Sequence, residues 1–386
     1  MSGWARGERE YEALMGAPAA EALAEVRLRS PDLYESVVAG AFGGPLARAA
    51  LGRSERELAT VAILAAAGGA ERQLARHAAA ALRQGFAASE LVALCEHVAV
   101  YAGFPRGLNA LEVIDAVVTD AGLPRPPRLR RVALADHETT VAETGDGGPP
   151  VVLLHALGLD WRMWEPVMAT LAAGRRVFAY DLRRHGAVEG ARAPFTMAEA
   201  AADLVGVLDA LELDRAHVVG LSFGGGIAQT AAVAHPERFL SLALLATTDF
   251  PFPAFEDRAR SAEADGMEAQ VVPSLTRWFT PAALAVGGWG VRYARERVRR
   301  GDVAGWAASW RAFAGLDVQD RLGGFPAPTL VLAGELDAST TPDIMGGIAA
   351  RIPAARYEQL PGTPHMQTLE RPELVADALE RFLPTG

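Results

Sequence analysis

The chain has 386 residues, half of them hydrophobic and 22% charged, which suits a globular protein with material for more than one core. A net charge of −10 argues against partners that need a basic footprint, such as nucleic acid or an anionic membrane surface. All 37 cations are arginine, so a Schiff-base lysine, a pyridoxal-phosphate anchor and a phosphate-loop lysine are excluded together, and the single cysteine, Cys95, excludes an intrachain disulfide or a cysteine zinc cluster. The amino-terminal residues lack an apolar signal core and no stretch approaches about 18 consecutive apolar residues, so a cytoplasmic location is expected.

In chain order, the first part reads as all-helical. Residues 54–68 open on Ser54, a candidate N-cap, with Glu57 at capping-box spacing. Residues 71–85 carry apolar side chains at helical period and stop at Gly85, as a C′ glycine would. Two further helices are expected from near Ser89 to 101 and over about 106–121, with Pro105 between them. A proline- and arginine-rich stretch follows, GLPRPPRLRR, which suits a semi-rigid linker. The expected division is a helical domain over 1–123, a linker over 124–129 and a second domain over 130–386.

Beyond the linker the period changes. A hairpin at 130–136 and 139–144 leads into short apolar runs at 151–157, 176–182, 216–222, 240–248, 328–337 and 355–362, alternating with helical stretches. That pattern predicts a mostly parallel sheet covered on both faces. Between about 249 and 316 the alternation stops in a segment rich in Trp, Phe, Arg and Pro, which reads as a helical cap inserted over one end of the sheet. The fold class is therefore multidomain: an all-α domain followed by an α/β domain with a helical cap.

The strongest motif is Gly220-Leu221-Ser222-Phe223-Gly224, directly after a strand and directly before a helix. In that context the serine sits on a sharp turn with its hydroxyl exposed above the sheet, a nucleophile that needs a base. Candidate partners follow at later strand ends: His365 as general base and then general acid, and Asp337 to orient it. Glu335 and Asp343 are rivals for the acidic role, with Asp337 preferred because it falls at the turn immediately after its strand. Oxyanion donors are expected from the amide of Phe223 and from the loop His155-Ala156-Leu157-Gly158, with Leu157 the choice. His137, His217 and His235 read as surface or strand-end residues without metal-ligand spacing, and His185 as part of a structural turn, so no metal site is predicted. An acidic substrate would need a cation, for which Arg162, Arg183 and Arg184 are the nearest by sequence. An arginine facing Ser222 beneath the 249–316 insertion would favour an acidic lactone, and an apolar lining a neutral ester.

These segments carry two resemblances. Residues 130–384 resemble the α/β-hydrolases, and within them the 3-oxoadipate enol-lactone hydrolases, through LGLDWRMWEPVMATL, YDLRRHG, FTMAEAAADLVGVLDAL running into VVGLSFGG, RWFTPA and GDVAGWAASWRAFAGLD. The resemblance implies that Trp278 and Arg184 line the substrate site, although Arg184 stands where the family's turn usually has glycine. Residues 8–121 resemble the carboxymuconolactone decarboxylase family through Arg56 in RSERELATVAIL, Leu74, His77, Leu82, Gly85, Glu90 and Tyr101-Ala102-Gly103-Phe104-Pro105. That likeness implies a catalytic His77 and a substrate-binding Arg56. Ala70 and Gln73 occupy the positions of the Cys-x-x-Cys pair of redox-active relatives, which excludes thiol redox chemistry; decarboxylases of this family usually carry glutamate at Gln73.

Together the two resemblances imply a bifunctional enzyme. A carboxymuconolactone would be decarboxylated, and the resulting enol-lactone opened by a Ser-His-Asp triad, with no metal or organic cofactor in either step. Its partners would be a small lactone or ester and, through the helical domain, further copies of itself. Two alternatives stand beside it: a hydrolase of another ester or lactone whose helical domain serves only assembly, and a ligand sensor that keeps the triad but hardly turns over.

Overall fold

The computed structural model describes residues 2–353 and 355–384. The chain folds as two compact units, one ending at Pro126 and the other starting at Pro127.

The first unit is helical throughout. Its long helices span Gly3–Met15, Arg53–Ala67, Glu71–Arg83, Ala88–Ala102 and Phe104–Asp120. Short helices and a π-helical stretch over Ser36–Phe42 connect the first to the second. One core gathers Val61, Leu74, Leu91, Cys95 and Ile114; another gathers Tyr11, Tyr34, Val38 and Phe42. Ser54 is not the cap expected of it. The helix begins one residue earlier, with Gly52 as N-cap, so Ser54 lies inside the first turn. Glu57 is then carried to the inner face with Val61 and Ala65, where it is 1% exposed. Gly85 does adopt the left-handed conformation (φ 86°) that ends the next helix.

The second unit is built on one eight-stranded sheet. Its strands are β1 (Arg128–Ala133), β2 (Glu138–Thr144), β3 (Pro150–Leu154), β4 (Arg176–Tyr180), β5 (Ala216–Leu221), β6 (Phe239–Leu245), β7 (Thr329–Gly334) and β8 (Arg356–Leu360). The spatial order is β1-β2-β4-β3-β5-β6-β7-β8; β1, β2 and β4 pair antiparallel and the rest parallel. β5 and β7 are buried along their whole length, which explains their unbroken apolar sequences. The connections leaving the neighbouring strands β3 and β5 run to opposite sides, to β4 and to β6, and loops at the carboxyl ends of such a pair form a natural crevice.

The cap lies between β6 and β7. It comprises helices Ala254–Trp278, Pro281–Val286, Trp289–Arg299 and Val303–Ala314. The longest is broken into two arms at Gly266 (φ 74°), and Gln270 Nε2 donates back across the bend to Ser261 Oγ at 3.1 Å.

Candidate active site

Ser222 sits between β5 and the helix Phe223–Ala234 with φ 55° and ψ −114°. A non-glycine residue held there costs about 1–3 kcal/mol, which the surroundings must enforce. Three contacts do so: Ser222 N donates to Leu245 O (2.9 Å), and Ser222 O accepts from Gly226 N (3.0 Å) and Thr247 Oγ1 (2.7 Å). The flanking glycines are required by space. A Cβ on Gly220 would lie 2.5 Å from Gly224 O, and one on Gly224 would lie 2.4 Å from Leu154 O.

His365 comes from the loop after β8, and Asp337 from the turn after β7. Ser222 Oγ lies 3.1 Å from His365 Nε2, and His365 Nδ1 lies 2.8 Å from Asp337 Oδ2. All three residues are buried. Asp337 also accepts from the amides of Ser339 (2.8 Å) and Thr340 (3.0 Å) at Oδ1, and from Thr340 Oγ1 (2.7 Å) at Oδ2. Burial alone would raise this carboxyl, but His365 beside it and these hydrogen bonds hold it below the ordinary carboxylate range. The rivals are elsewhere: Glu335 accepts from the amide of Gly362, and Asp343 sits in the first turn of the helix Pro342–Arg351.

A narrow cavity opens over Ser222. Leu157 lines it, as do Ala156, Thr340 and His365, and an aromatic wall of Phe252, Phe255, Trp278, Trp310 and Phe313 closes it from the cap side. Phe223 is the first residue of the helix after the serine, with its ring fully buried. Trp278 is thus in the cavity with Ser222; Arg184 is not. Arg184 (φ 63°) lines a separate, larger cavity with Gly158, Arg297 and Trp306, and its guanidinium is engaged by Asp302 and Ala191 O. Arg162 pairs with Asp160 (3.0 Å), and Arg183 is clamped between Asp136 and Asp203 (2.8 Å each). Asp136, His137 and Asp203 are close enough together to suggest a metal site, but both carboxylates are already taken up by Arg183. His137 and His217 are buried rather than exposed, the latter 2.7 Å from Ser241 Oγ.

Sequence reasoning missed the two arginines that do face Ser222. Arg258 and Arg277, one on each arm of the bent cap helix, line its cavity. Arg258 lies over Trp310 (4.7 Å to the ring centroid) and Phe255 (5.6 Å), and Arg277 donates to Ser274 Oγ (3.3 Å). No residue spacing marks them out among the many arginines of the chain; only the cap's packing does.

In the first unit, His77 Nδ1 lies 2.7 Å from Glu57 Oε1. The two share a pocket with Arg53, Arg56 and Thr60. Arg56 spends its guanidinium on the carbonyls of Leu51 and Arg48 (3.0 Å each), and Arg53 pairs with Glu10. Glu57 was legible in principle, as a charged residue at a core position of an apolar helix face. His97 packs against Tyr101, with ring centroids 4.8 Å apart and the planes tilted by 43°. Cys95 is buried, and burial together with Asp115 and Glu96 pushes its thiol up to about 11, leaving it unreactive at neutral pH.

The sheet order and the strained serine turn define a class: a hydrolase on the α/β scaffold. Residues 149–372 match the alpha/beta hydrolase fold family, and the chain belongs to it; residues 31–116 match the Carboxymuconolactone decarboxylase family. The second unit resembles 3-oxoadipate enol-lactonase 1 of Acinetobacter baylyi, with 29% identity over 240 residues, covering 62% of this chain and 90% of that one. It also resembles the crystal structure of the enol-lactonase from Burkholderia xenovorans (TM-score 0.64, 29% identity, 66% of this chain and 99% of that one). A thermophilic esterase from Thermogutta terrifontis, solved with malate bound, is similar too (TM-score 0.62, 28% identity, 66% and 97%).

Proposed function

We propose that the second unit opens a small lactone bearing a carboxylate, of the 3-oxoadipate enol-lactone type, by nucleophilic catalysis. The observation that carries this reading is the continuous hydrogen-bonded run from Ser222 Oγ through His365 to Asp337. Ser222 Oγ adds to the lactone carbonyl while its proton passes to His365 Nε2. The amides of Leu157 and Phe223 receive the developing oxyanion. The ring C–O bond breaks and His365 returns the proton to the leaving enol oxygen, which rearranges to a ketone. Water, deprotonated by His365, then releases the acid and restores Ser222. Asp337 holds the Nδ1 proton and stabilises the imidazolium throughout. Arg258 and Arg277 favour an acidic lactone over a neutral ester, and the relatives named above, two of them enol-lactonases, support the reaction class.

The first unit supports the preceding step, decarboxylation of a carboxymuconolactone. Loss of carbon dioxide leaves an electron pair that delocalises into the lactone carbonyl, and His77, held by Glu57, delivers the proton that ends the step. One observation favours a second role for this unit, in assembly. Val100, Tyr101, Phe104 and Leu108, on two consecutive helices, are all more than half exposed, an apolar face suited to another copy of the chain.

The primary test is Ser222→Ala assayed on the enol-lactone by its loss of ultraviolet absorbance. Hydrolysis is expected to fall at least about a thousandfold. Retained turnover would remove Ser222 from the mechanism.

A further inference from the structure

The reaction proposed above changes the charge of what occupies the cavity. A lactone that already bears one carboxylate takes up water and leaves as a dicarboxylate plus a proton, so the occupant goes from one negative charge to two. The new carboxylate forms at Ser222, inside the same cavity.

The walls of that cavity are unbalanced in the opposite sense. Arg258 and Arg277 both line it, and among the described residues no aspartate or glutamate does. Asp337 stands behind His365 with its oxygens occupied by four protein donors. Among the described residues neither Arg258 nor Arg277 pairs with a carboxylate, whereas Arg162, Arg183, Arg184, Arg297, Arg311 and Arg351 in the same unit all do. Burial, and for Arg277 the neighbouring charge of Arg258, lower both guanidiniums, Arg277 to about 10; even so, both stay charged at neutral pH. Two uncompensated cations in an aromatic-walled space fit a ligand with two negative groups.

We propose that Arg258 and Arg277 make the Ser222 cavity a dicarboxylate site, which holds the two-carboxylate product of lactone opening more tightly than a one-carboxylate molecule of the same size. A monoanion satisfies one guanidinium and leaves the other exposed to it without a counter-charge; a dianion satisfies both. Product therefore competes with substrate, and sustained flux depends on a following reaction that consumes a dicarboxylate. This inference deepens the hydrolase reading and rests on it.

The test uses the full-length protein with p-nitrophenyl acetate, a neutral ester, as reporter substrate, and adipate and hexanoate as inhibitors. The two share a six-carbon chain and differ by one carboxylate. Both are expected to compete with the ester, adipate with an inhibition constant about tenfold or more below that of hexanoate. Arg258→Gln and Arg277→Gln should each bring adipate to within about threefold of hexanoate, while Arg258→Lys and Arg277→Lys, which keep the charge, retain most of the preference. Misfolding would spoil both replacements alike, so the Gln–Lys contrast isolates the charge. Equal inhibition by the two acids in the unsubstituted protein overturns the proposal, as does an adipate preference that survives both Gln changes. Should the ester not be hydrolysed at all, the hydrolase reading fails instead. The dicarboxylate preference is then read directly, from quenching of tryptophan fluorescence as each acid is titrated, with the same outcomes supporting or overturning it.

Discussion

The carboxylate of Asp337 accepts four hydrogen bonds inside the protein, and Thr340 supplies two of them, from its amide and its hydroxyl. The hydroxyl shares Oδ2 with the imidazole and lies 3.3 Å from His365 Nδ1. Removing it should leave Oδ2 one donor short and loosen the hold on the imidazole, so Thr340→Val should lower kcat by about threefold to tenfold with KM little changed. Thr340→Ser should restore most of the rate, and an unchanged kcat in Thr340→Val would reduce Thr340 to packing. Legibility differs sharply between residues of the site. Ser222, Asp337 and His365 could be picked from the sequence because each is tied to a strand end, whose position the chain's periodicity announces. Arg258 and Arg277 could not, because a cap arginine's neighbours are set by how four helices pack. Arg162, Arg183 and Arg184 were nominated for nearness along the chain, and each turned out to be neutralised by an aspartate.

At the level of elements, six of the eight strands announced themselves as short runs bounded by turn residues and prove shorter than those runs, while the hairpin strands β1 and β2 fall at 128–133 and 138–144, the first displaced two residues toward the linker. The helices before residue 53 went unread. Apart from Gly3–Met15 they are short or irregular, and their apolar residues cluster between elements rather than along one face. The helices Ala88–Ala102 and Phe104–Asp120 hold a different kind of information. Their exposed Val100, Tyr101, Phe104 and Leu108 have no role in either local core. Light scattering coupled to size exclusion should find the full-length chain self-associated. Tyr101→Glu combined with Phe104→Glu should shift it to monomer, since charge on a buried apolar contact is costly. A monomeric parent protein would discard the assembly role.

Across the whole molecule, two units bring two separate constellations, and the proposed reactions should separate accordingly. His77→Ala is expected to lower decarboxylation of 4-carboxymuconolactone by about a hundredfold or more while lactone opening continues, as befits the loss of one proton-transfer group. If the unsubstituted chain releases no carbon dioxide from that lactone, the decarboxylase role falls and the hydrolase stands. The boundary between units was visible as a change of hydrophobic period around a Pro/Arg-rich stretch, because helical and strand patterns cannot be confused over so many residues. Within the second unit, the groups that break the bond hang from strand ends, whereas Arg258 and Arg277 belong to one inserted helix. How a bond is cut and whose bond is cut are thus inherited on different stretches of chain. Lineages could replace the insertion and redirect an unchanged cutting device to new molecules, with no need to reinvent it.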